Sequence, residues 1–159
     1  MWTDFFVAAA GTSGALAGLV FVALSVNIAS ILRLPHLPAR AAATIATLIL
    51  ILVCSMAVLI PQPTPALGIE IIAFSLYGCW LQLVSARKGI AARLQFQRPR
   101  WESVLNAAVG QMQVLPFLTG GIILLAGHSS GLYWVAAGCL AIFIFSVLNA
   151  WVLLVEILR

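Results

Sequence analysis

Few residues in this 159-residue sequence are equipped for chemistry. Two serine strings come first: Gly11-Thr12-Ser13-Gly14, and Gly127-His128-Ser129-Ser130-Gly131, which matches G-x-S-x-G. A serine nucleophile needs a base to take its proton, and Ser13 with His128 as that base would make an intramembrane serine hydrolase. The second string sits in a short connection between apolar runs, whereas its motif requires a strand-to-helix elbow. Short motifs of this kind recur by chance, and the sequence is not read as that of an enzyme. Cys54, Cys79 and Cys139 fall inside apolar runs with no C-x-x-C spacing, so neither disulfides nor a metal site is expected. His36 and His128 fall at opposite ends of the runs, which excludes a bis-histidine haem; no cofactor is expected.

Uncharged polar side chains are the more informative set. On a helix, Glu102, Asn106, Gly110 and Gln113 follow i, i+4, i+8, i+11 and share a face. Cys139, Ser146, Asn149 and Glu156 share another, and Thr44, Thr47, Cys54 and Ser55 a third. An unsatisfied polar group in hydrocarbon costs several kcal/mol, so these amides must face protein or a wet cavity. Two uses are open. Asn106 and Asn149 can join helices four and five through hydrogen bonds of about 1 kcal/mol each, or the same faces can line a hydrated vestibule. Ser25, Asn106, Gln113 and Asn149 are the candidate pathway or polar-core residues. Asp4, Glu70, Glu102 and Glu156 all fall near run ends, and the lack of a midplane acid argues against an ion-coupled active transporter.

The elements that must position these residues follow from composition. Hydrophobic residues make up 64% of the chain and charged residues 8%, against about 25% charged in a soluble domain. That excludes a water-soluble globule. Apolar runs at about 5–32, 41–60, 68–86, 103–126 and 132–156 are each near or above the ~20 residues of a membrane helix. The expected fold is all-α, a single transmembrane domain over 1–159 built as a bundle of five helices. Pro61, Pro63 and Pro65 separate helices two and three, and Pro116 should kink helix four. The opening run is too long for a cleavable signal and has Asp4 where a basic region would stand, so helix one is expected to be retained.

All eight Lys and Arg fall in the first and third connections or at Arg159. Five spans put those regions on one side, which predicts the N-terminus outside and the C-terminus in the cytoplasm. Arg87, Lys88, Arg93, Arg98 and Arg100, mixed with Ile90, Leu94 and Phe96, suit contact with inner-leaflet lipid. Because topology accounts for every cation, no nucleic-acid partner is expected. Trp2, Trp80, Trp101, Tyr133, Trp134 and Trp151 read as interfacial belt residues.

On helix one, Asp4, Gly11, Gly14, Gly18 and Ser25 lie within about 80° of one another, and Gly14 to Gly18 is a G-x-x-x-G. Such a face allows close backbone approach, either to another helix of the chain or to a second subunit. The opening Trp2-x-Asp4-Phe5-Phe6-x4-Gly11-x-Ser13 resembles the first helix of small, uncharacterised bacterial polytopic inner-membrane proteins. The resemblance spans about thirty residues and implies a multi-pass protein of the bacterial inner membrane, with no activity attached. The reading that follows is a homo-oligomeric channel-like protein or facilitator of a small solute or ion. The alternative is an accessory or regulatory subunit packed against a larger membrane complex. Its partners are then membrane lipids and either further copies of the chain or another membrane protein.

Overall fold

The computed structural model describes residues 2–26, 28, 37–96 and 108–158. These form helices α1 (Trp2–Val26), α2 (Leu37–Leu59), α3 (Thr64–Phe96), α4 (Leu115–Leu125) and α5 (Gly131–Leu158), with no strand among the described residues. A short helical segment, 108–112, leads into α4 through a turn at 113–114. Five stretches, Trp2–Val26, Ala41–Leu59, Thr64–Arg87, Ala108–Leu125 and Gly131–Asn149, are long and apolar enough to cross a bilayer.

Prolines begin helices here more than they end them. Pro38 and Pro65 fall in the first turns of α2 and α3, where an amide N–H would have no intrahelical acceptor and the fixed φ suits the helix. Both helices therefore start four residues earlier than their apolar runs. At its other end α3 continues ten residues past Ala86, through Arg87, Lys88 and Arg93. Charge marks where a chain leaves hydrocarbon, but it does not break a helix, and the lone Gly89 is insufficient to do so. The expected loop from Arg87 is thus helix as far as Phe96. Helix four shows the opposite effect. Pro116 offers no N–H to the Met112 carbonyl, and the expected kink is a full interruption at Gln113-Val114 with α4 restarting beyond it.

Helices α2, α3, α4 and α5 pack in sequence, and α5 closes onto α2, so these four make a ring. The α1 helix lies outside that ring, packed along α2 with a small contact to α5. Phe6, Leu48, Ile51, Ile71, Val114, Phe117, Leu124, Val135 and Ile142 are fully buried. At the α1–α5 contact the Trp2 and Tyr133 rings meet edge to face, 4.7 Å between centroids, with Phe5 edge-on and Phe6 tilted against Trp2. The first residues of α1 and α5 therefore lie at one end of the bundle, as five successive crossings require.

Small residues set the helix spacing. A Cβ on Gly68 of α3 would run into the Leu125 backbone and stand 2.8 Å from the Gly121 carbonyl oxygen of α4. A Cβ on Gly120 would stand 2.8 Å from the Gly131 carbonyl oxygen of α5. The pair Gly120-Gly121 thus lets α4 touch α3 on one flank and α5 on the other. The α4–α5 corner is equally local in origin: Gly127, at φ 85°, donates to Leu124, and the His128 N–H donates to Ile123 at 3.1 Å. That is a helix-ending Schellman turn, with glycine in the left-handed region.

Candidate functional site

The polar stripe of α2 faces inward as its spacing predicts: Thr44, Thr47, Cys54 and Ser55 are all buried. Its partner is the stripe on α5, where Cys139 and Ser146 are buried and Ser55 lies beside Cys139. Cys54 lies near the same thiol. The two stripes form a narrow polar seam through an otherwise apolar ring.

Most hydroxyls in the bundle are satisfied by their own helix. Ser13 donates to the Ala10 carbonyl at 2.9 Å, Thr47 to Thr44 at 2.9 Å, and Ser75 to Ile71 at 2.6 Å. Such back-bonding costs no partner and is the usual fate of Ser and Thr in apolar helices. Ser55 and Ser146 are the buried exceptions: Ser55 has only the Cys139 thiol beside it, and Ser146 has no hydrogen-bond partner among the described residues.

Helix four contributes amides on two sides. Gln111 donates to the Cys79 carbonyl of α3 at 3.3 Å, and the Gln82 side chain lies over Gly110. Gln113 is buried at the interruption itself. The sequence reading missed Gln82 and Gln111; their signal was the antiparallel register of helices three and four, which places Cys79 to Gln82 opposite 110–111. At one end of the bundle, Gln62 donates to the Glu70 carboxylate at 2.9 Å and to the Ala57 carbonyl at 3.1 Å, tying the Pro61–Pro63 connection to both helices it joins.

Three of the four candidate pathway residues are among those described. Gln113 is inside the ring, Asn149 is half-buried on α5 and has an interaction partner, and Ser25 is exposed on α1 with its hydroxyl donating to Phe21 at 2.9 Å. Asn106, and with it the expected Asn106–Asn149 pairing, lies outside the described residues, as do Glu102, Arg98 and Arg100. Arg87 is exposed, and the backbone at Lys88 and Arg93 is helical.

Among the described residues the Ser13 hydroxyl bonds its own helix and not His128. Ser13 is buried against the bundle and spends its proton on Ala10, while His128 is exposed in the α4–α5 corner. In the second string, Gly127 ends α4 and Gly131 packs on Gly120, which accounts for both glycines without chemistry.

The glycine face of α1 is turned away from the other described helices. Phe6, Ala9, Ser13 and Val20 form the buried side, and Gly11, Gly14 and Gly18 lie opposite, exposed, with nothing within 4 Å of a Cβ built on any of them. Asp4 and Ser25 are exposed on the same side. No protein family, curated protein or solved structure matches the chain.

Proposed function

We propose that the chain is a homo-oligomeric multi-pass membrane protein, channel-like or a facilitator of a small solute or ion, assembled through the outward face of α1. The proposal places it in a bacterial inner membrane with its N-terminus outside and its C-terminus in the cytoplasm. The observation that carries the assembly is the exposure of Gly11, Gly14 and Gly18 with nothing near them. Helices in lipid associate by close packing of small residues, because hydrophobicity gives no gain against acyl chains. Every other membrane-run glycine described, Gly68, Gly78, Gly110, Gly120, Gly121, Gly131 and Gly138, has a neighbour in contact. A second copy is the simplest occupant of the face that lacks one.

The filled ring supports a path between protomers over one through a single chain. Leu48, Ile51, Phe117, Leu124 and Ile142 close its centre completely. Ser25, on the assembly face of α1, is then the pathway candidate placed nearest a subunit boundary.

The test is the native mass of the assembly after gentle extraction into nanodiscs. A whole-number multiple of 16.9 kDa is expected, and solute flux into proteoliposomes is measured next. A mass that requires a second polypeptide identifies an accessory subunit instead. A bare monomer overturns the proposal.

A further inference from the structure

We draw no further inference here: the strongest candidate, the outward face of α3 around the stacked and exposed Tyr77 and Trp80 rings, carries nothing because nothing in the structure shows what covers it.

Discussion

Glycine appears in two settings in this bundle. Along the contacts of α3, α4 and α5, Gly68, Gly120, Gly121, Gly131 and Gly138 sit where a methyl group would strike a neighbouring backbone, ring or, at Gly121, the Ile72 side chain. On α1, Gly11, Gly14 and Gly18 meet open space. The first set explains the chain's own fold. The second set touches nothing among the described residues, although its spacing is the more recognisable motif. A G-x-x-x-G string states that a backbone can approach; the surrounding fold decides whether one does.

Gly68→Val gives the largest expected effect. The new side chain meets the Leu125 and Gly121 backbones, which cannot swing aside as a side chain can, so α3 and α4 must separate. Overpacking against backbone should cost about 3 kcal/mol or more, and most of the protein should be lost to aggregation on extraction. A Gly68→Val protein that elutes and melts like the parent would show that the close α3–α4 contact is not what holds the ring. On α1 the same bulk should leave the fold intact. Gly14→Leu and Gly18→Leu are expected to melt within about 0.5 kcal/mol of the parent, as for a surface substitution, while the native mass falls toward 16.9 kDa. Unchanged mass in both would remove α1 from the assembly interface.

The difference between the two sets was only half legible in the sequence. Five apolar runs and the inward stripe Thr44, Thr47, Cys54 and Ser55 follow from composition and helical period, and both appear in the bundle. The partner of that stripe does not follow, because period gives a face and not its neighbour: α2 meets α5, with Ser55 beside Cys139. The end of α3 was missed because hydropathy reports where hydrocarbon stops, whereas helix continues through Arg87 and Lys88 until something breaks it. Gly120-Gly121 follows Pro116 with no motif of its own, yet a Cβ built on Gly120 would stand 2.8 Å from α5 and one on Gly121 2.7 Å from Ile72 of α3. Glycine as a breaker and glycine as a spacer leave the same letter.

A milder substitution sharpens the comparison within the inner set. Gly138 faces the Phe117 ring, 2.5 Å from a Cβ built there, and a ring can shift where a backbone cannot. Gly138→Ala should therefore cost about 1–2 kcal/mol in thermal unfolding, clearly less than Gly68→Val. Equal losses would mean that Phe117 is held as rigidly as main chain. Pairing Gly138→Ala with Phe117→Leu, which makes room for the methyl group, should recover part of the loss.

The smallest effect concerns how α1 stays in place at all. Its long contact is with α2, and its link to α5 rests on Trp2 against Tyr133 at one end. Edge-to-face aromatic pairs contribute about 0.5–1.5 kcal/mol beyond their packing, so Tyr133→Leu should lower stability by about 1 kcal/mol without altering the ring of α2 to α5. If α1 is also the assembly helix, loosening its end should weaken the oligomer as well, because a packing face works only when the helix that carries it is held at a fixed angle. Native mass and thermal unfolding of Tyr133→Leu then move together. A loss of stability with the oligomer unchanged would mean that the α2 contact alone orients the glycine face, and that the aromatic cluster serves the fold and not the assembly.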